Sequence, residues 1–96
     1  MDQKQENEAT MRLAAERGQH DAVQVMLDLG ADPSSCGEDG RNALHAAAAN
    51  GYPDVIRMLL AAGADAAATD ATGRTALELA EAGGFEDAAE ALRAAR

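Results

Sequence analysis

Apolar side chains along this chain return at a step of 33 residues. Met11, Leu44 and Leu77 share one position of that step, Ala14, Ala47 and Ala80 a second, and Met26, Leu59 and Leu92 a third. Turn-forming and polar residues keep the same step, as Gly18, Gly51 and Gly84 do, and Asp21, Asp54 and Asp87. Gly30-Ala31-Asp32 is repeated as Gly63-Ala64-Asp65. A unit this short cannot bury its apolar face alone and must stack on its neighbours, so nearly the whole chain reads as three copies of one unit.

Each copy predicts two helices and a turn. In the middle copy the first helix runs from about Ala43 to Asn50, where an alanine-rich body has high helix propensity, and Gly51 ends it. In the third copy Thr75-Ala76-Leu77-Glu78 has the form of a capping box, which starts that helix at Thr75. The second helices open beside Asp21, Asp54 and Asp87, where the positive end of the helix dipole favours a carboxylate, and Pro53 suits a first turn. Gly30 and Gly63 supply the left-handed residue that terminates them. Segments 31–42 and 64–75, rich in Gly, Asp, Ser and Thr, turn the chain back.

These residues resemble the ankyrin repeat family, whose pattern is close to D-x-x-G-x-T-P-L-H-x-A-A-x-x-G-H, then an apolar helix, then G-A-D. Gly40, Leu44, His45, Ala47, Ala48, Gly51, Val55, Ile56, Leu59, Leu60, Gly63, Ala64 and Asp65 match in the middle copy. Asp70, Gly73, Thr75, Leu77, Ala80 and Gly84 match in the third. The resemblance implies an all-α fold, an ankyrin-type solenoid of stacked helix-turn-helix units joined by β-hairpin-like turns. Residues 1–6 read as a disordered N-terminal tail and 7–96 as one domain, with units at about 7–36, 37–69 and 70–96. Ala43 and Ala76 replace the proline of the pattern, Asn42 the threonine, and Arg12 and Glu78 the histidine, which thins the hydrogen bonding expected between units. Leu27 and Leu60 correspond to Arg93, and Val23 and Ile56 to Ala89, as expected for a polar C-terminal cap. The first copy lacks a turn like that at Gly40 or Gly73, as a front cap would, so the sequence reads as a doubly capped domain.

Three units of 33 account for a length of 96 and leave no room for a second domain. Tyr52 and Phe85 are the aromatic residues, so the core has to be aliphatic and rich in alanine, with a stability of about 5 kcal/mol. No apolar run approaches a membrane span, and the first residues, MDQKQENEAT, are polar and acidic, unlike a leader. A single cysteine, Cys36, has no partner for an internal disulfide, which suits a reducing compartment, and the cytoplasm is the expected location. A net charge of -9 argues against nucleic acid and makes a basic or mixed-charge protein surface the easier partner.

Candidate catalytic chemistry is sparse. The glycines fall at helix ends and Lys4 is the one lysine, so there is no phosphate-binding loop. Cys36, His20 and His45 match no metal-ligand spacing, and the paired acids Glu86-Asp87 and Glu78 with Glu81 read as solvated helix faces. The expectation is therefore a non-enzymatic chain with no catalytic residue, cofactor or metal.

In ankyrin proteins the hairpin tips and the inner side of the first helices line a concave groove that holds partner proteins. Carried onto this chain, the groove takes Cys36, Glu38, Asp39, Arg41, Ala49 and Asn50 at one junction and Thr69, Ala71, Thr72, Arg74, Ala82 and Gly83 at the next, with Glu16 and Arg17 extending it forward. The nominated partner-binding residues are Arg41, Arg74, Glu38, Asp39, Asn50, Thr72 and Arg17. Arg41 and Arg74 lie 33 apart, so stacking sets them side by side, where each could fork onto a partner carboxylate. The competing reading pairs each arginine with Asp39 or Asp70, holding the hairpins in register. The function implied is that of a monomeric protein-binding module, an adaptor, inhibitor or accessory factor. Self-association through an exposed repeat face, or a small ligand in a groove, are the alternatives.

Overall fold

The computed structural model describes residues 2–95, and along them the chain forms six α-helices in three antiparallel pairs. The pairs are α1 (Gln3–Glu16) with α2 (His20–Asp28), α3 (Ala43–Ala49) with α4 (Pro53–Ala61), and α5 (Ala76–Ala82) with α6 (Glu86–Ala94). α1, α3 and α5 pack side by side in one layer and α2, α4 and α6 in a second, giving a stack of 35 × 26 × 22 Å. The all-helical repeat fold expected from the sequence is the one observed.

Helix starts follow the local chemistry. Asn42 caps α3, its Oδ1 accepting the His45 N–H at 2.9 Å while the His45 ring returns to the Asn42 N–H. Thr75 caps α5 in the same way with Glu78. Pro53 stands in the first turn of α4, where its missing N–H costs nothing.

At the front the chain departs from the expected tail. Residues 1–6 read as a tail, yet α1 begins at Gln3. Asp2 supplies the reason: its carboxylate accepts the Gln5 N–H at 2.8 Å and the Gln5 side chain accepts the Asp2 N–H at 3.2 Å, completing a capping box that nucleates two further turns. Glu8, on one of those turns, accepts the Asp32 N–H at 2.8 Å and ties the extension to the loop after α2. Met1 of that tail and Arg96 of the third unit lie outside the described residues.

The core runs through the middle of the stack around Met11, Leu44, Val55, Ile56 and Leu59, all 1% exposed or less, and is otherwise mostly alanine. Alanine lets the helices approach closely, and the two aromatic rings fill what remains. Tyr52 lies against Gly18 and Phe85 against Gly51, each ring reaching from one unit to the glycine that ends the first helix of the unit before. A Cβ on Gly18 would stand 2.7 Å from the Tyr52 ring, and one on Gly51 would run into Phe85. Both glycines also hold a left-handed backbone, φ 72° and 77°, so conformation and close approach both select glycine there. At the far end Arg93 is exposed and donates to Glu81 at 3.0 Å, whereas its counterparts Leu27 and Leu60 are half-buried.

Candidate binding face

Two hairpins project from the stack. In the first, Cys36 and Asn42 form an isolated antiparallel bridge and the Gly37 N–H donates to the Arg41 carbonyl at 3.0 Å. In the second, the Asp70 N–H donates to the Arg74 carbonyl at 2.9 Å. Backbone joins them directly, since the Ala71 N–H donates to the Asp39 carbonyl at 3.1 Å, and a Cβ on Gly40 would stand 2.7 Å from the Ala71 nitrogen.

Asp70 organises this edge. One carboxylate oxygen accepts from the Thr72 hydroxyl at 2.7 Å and from the Thr72 and Arg74 N–H groups at 2.9 and 3.0 Å; the other faces Arg41 Nε at 3.6 Å. The side chain of Asp70 is 3% exposed. The Thr72 hydroxyl, the Arg74 N–H, the Thr72 N–H and the Arg74 charge together hold its carboxyl far below the usual carboxylate range, against the opposing effect of burial. Below it His45 Nε2 meets the Arg74 carbonyl at 3.0 Å, so that nitrogen carries the hydrogen and Nδ1 accepts the Asn42 N–H.

The two arginines therefore have different surroundings. Arg41 crosses to Asp70 in the next hairpin, whereas Arg74 is exposed and its Nε donates to the Thr72 hydroxyl at 3.1 Å. Asp39 accepts the Arg41 N–H at 3.0 Å and remains exposed.

Three of the nominated residues, Asp39, Arg41 and Asn50, come together in one cleft of about 220 Å³ between α1, α3 and the first hairpin. Arg12, Leu13, Glu16, Asn42 and Ala46 complete its walls. Glu38 lines a different hollow, beside Cys36 and the outer side of α1. Thr72 and Arg74 stand on the second hairpin, and Arg17 caps the C-terminal end of α1, exposed to solvent.

Leu13 and Arg12 stand outside the set that the repeat register nominates. Leu13 is 46% exposed, and Arg12, in the register position of His45, donates to Ser35 Oγ at 3.1 Å. The signal for Leu13 lay in the repeat itself, because a leucine stands there where the middle copy has the smaller Ala46.

A larger open hollow of about 810 Å³ lies elsewhere, between the C-terminal ends of α4 and α6 and the loop at Ala64–Ala67. Its walls are mainly Leu and Ala, with Asp65 and Thr75 as the polar groups. Among the described residues no three His, Cys, Asp or Glu side chains converge as a metal site would require, and no helix is long and apolar enough to cross a membrane.

Residues 3–95 match the family model for ankyrin repeats in three copies. A stretch of 27 residues, 28% of the chain, is 63% identical to Protein PhlB of Serratia liquefaciens, of which it covers 12%, so the likeness spans a small part of that protein's length. Ankyrin repeats are in general protein–protein interaction modules. The 33-residue step, the paired helices in two layers and the match over 93 of 96 positions agree, and the chain belongs to the ankyrin repeat family.

Proposed function

We propose that this protein is a non-catalytic binding module that acts by occupying a surface of a partner protein, with the concave side of the stack as the contact. The supporting observation is the cleft in which Asp39, Arg41 and Asn50 meet Leu13 and Glu16, a polar-rimmed depression on the face that family members use for partners. Such a module works by shape and charge complementarity and needs no cofactor. With a net charge of -9, the partner surface it suits is basic or of mixed charge, and nucleic acid is disfavoured. The cytoplasm is the compartment we assign, in keeping with the unpaired Cys36.

The test is affinity capture from host lysate with wild type beside two folded variants. Asn50→Arg blocks the concave side and Gln24→Arg alters α2. A protein retained by wild type and Gln24→Arg but lost by Asn50→Arg supports the reading; one lost only by Gln24→Arg moves the contact to the helix layer opposite.

Self-association has one observation in its favour. Val25 on α2 and Leu29, which caps its C-terminal end, are 51% and 62% exposed, while the register mates of Val25, Met58 and Ala91, are half-buried and buried. Sedimentation at micromolar concentration decides it: a monomer mass removes this reading, and a dimer lost in Val25→Glu/Leu29→Glu replaces the first one.

A further inference from the structure

We infer that the cleft between α1 and α3 seats an aliphatic side chain from a partner segment that carries a lysine or arginine next to it. This rests on the concave-face reading above and narrows it to one partner chemistry.

The apolar half follows from Leu13. Among the described residues it is one of three large apolar residues left exposed, and the other two, Val25 on α2 and Leu29 just after it, lie outside the cleft. Leu79, at the same register position in the third unit, is 6% exposed, so burial is the ordinary state of a leucine there. Beside Leu13 the middle unit offers only Ala46, and the step from large to small leaves a volume of about 220 Å³, room for a side chain and not for a folded surface.

The charged half follows from which polar groups of the wall are already engaged. Arg41 faces Asp70 and Arg12 donates to Ser35 Oγ, so both cations are held by this chain's own acceptors. Glu16 makes no ion pair among the described residues. The Asp39 carboxylate accepts one backbone N–H, from Arg41, and the residue is exposed. Asn50 donates its Nδ2 to the Ala46 carbonyl at 2.9 Å, which leaves its Oδ1 to accept. What the rim presents outward is a set of acceptors, two of them anionic, around an exposed leucine. A cationic donor beside an aliphatic group complements that set, and an acidic segment is repelled by it.

The experiment is affinity selection of random synthetic dodecapeptides, blocked at both ends, on the immobilised full chain, followed by fluorescence polarisation of the strongest peptide. The expected peptides place Leu, Ile, Met or Val within three residues of Lys or Arg. Their binding should weaken about tenfold in Leu13→Ser, the loss of one buried aliphatic contact. It should weaken about threefold in Glu16→Gln, with a smaller dependence on salt than wild type. Leu13 and Glu16 are exposed, so both variants should melt as wild type does, which separates lost binding from lost folding.

Acidic or uncharged selected peptides, or no selected peptide, overturn the inference, as does equal binding by Leu13→Ser. Peptides lost in Asn50→Arg but indifferent to Leu13→Ser sink the inference and leave the concave face standing. Peptides indifferent to both variants count against the concave face itself.

Discussion

The junction between the second and third units and the junction between the first and second follow one 33-residue plan, but they are closed by different means. Both seat an aromatic ring on a glycine, Phe85 on Gly51 and Tyr52 on Gly18. Only the later junction has hairpins on both sides. There Ala71 bonds Asp39 through the backbone, Arg41 meets Asp70, and His45 reaches the Arg74 carbonyl. The earlier junction has α1 where a hairpin would be, and the bonds there, Arg12 to Ser35 and the Asp32 N–H to Glu8, tie α1 to the loop that leads into the second unit rather than to that unit itself. A locked edge consumes its polar groups in holding itself together; the looser junction leaves a leucine and two carboxylates facing solvent.

One register position probes both junctions. His45→Ala leaves the Asn42 N–H without a partner, takes from the Arg74 carbonyl one of its two donors and opens a void where a side chain 1% exposed stood, and should cost about 2–4 kcal/mol in urea unfolding. Glu78→Ala removes half of a capping box at the exposed end of α5 and should cost about 1 kcal/mol. Arg12→Ala, at the looser junction, should cost under about 1 kcal/mol, the worth of one partly exposed hydrogen bond. Equal losses at positions 12 and 45 would erase the distinction.

Gly51→Ala attacks the contact that the two junctions share. Its left-handed backbone and the Phe85 ring should together bring a loss of about 2–3 kcal/mol by thermal melting. Gly30→Ala is the matched control, because Gly30 has φ 94° with nothing within 4 Å of an added Cβ, and should lose only the backbone share of about 1–2 kcal/mol. A larger loss at Gly30 would mean that ring packing contributes little.

Protonation gives a separate handle on the locked edge. The Asp70 carboxyl titrates lower in the folded chain than its unfolded value near 4, so the folded state favours the ionised form. The stabilisation is fully present above that unfolded value and is lost as pH falls through the lower folded one. Asp70→Asn should thus be less stable than wild type at neutral pH, with the gap narrowing once pH drops below about 4. Urea midpoints for both proteins at neutral and acidic pH check this, and a gap independent of pH would show that the ionised form has no special role.

Much of this fold was legible because repetition reports each feature several times. The helix pairs, the left-handed Gly30 and Gly63, and the polar Arg93 at the last unit all stand where the 33-residue step puts them. The misreadings fall where a residue departs from its copies. Asp2 and Gln5 have no counterpart in the other units, and their capping box turned an expected tail into helix. The aromatic–glycine contacts were written twice, as Gly18 with Tyr52 and Gly51 with Phe85, but a contact between units is invisible while each unit is read alone. Leu13 is hard to single out for a related reason: residue type alone does not tell a leucine that its neighbours cover from one that they leave open.

Arg41 and Arg74 carry that lesson to the smallest effect expected here. Thirty-three residues apart, they look interchangeable in the sequence. What separates them is Asp70, whose counterpart in the first hairpin is Gly37, and the absence of a further hairpin beyond Arg74 among the described residues. Arg41→Glu sets a second carboxylate against a buried one and should cost about 1–2 kcal/mol, discounted because the Arg41 side chain is 37% exposed. Arg74→Glu removes one exposed hydrogen bond to Thr72 and the solvent-screened attraction of the Arg74 charge for Asp70, and should shift stability by less than Arg41→Glu does, by no more than about 1 kcal/mol. Each urea midpoint against wild type gives the answer. If the pair proves equally costly, Arg74 is engaged more deeply than its exposure shows; if equally harmless, the 3.6 Å approach of Arg41 to Asp70 adds little, and the backbone bond from Ala71 to Asp39 with His45 holds the hairpins in register.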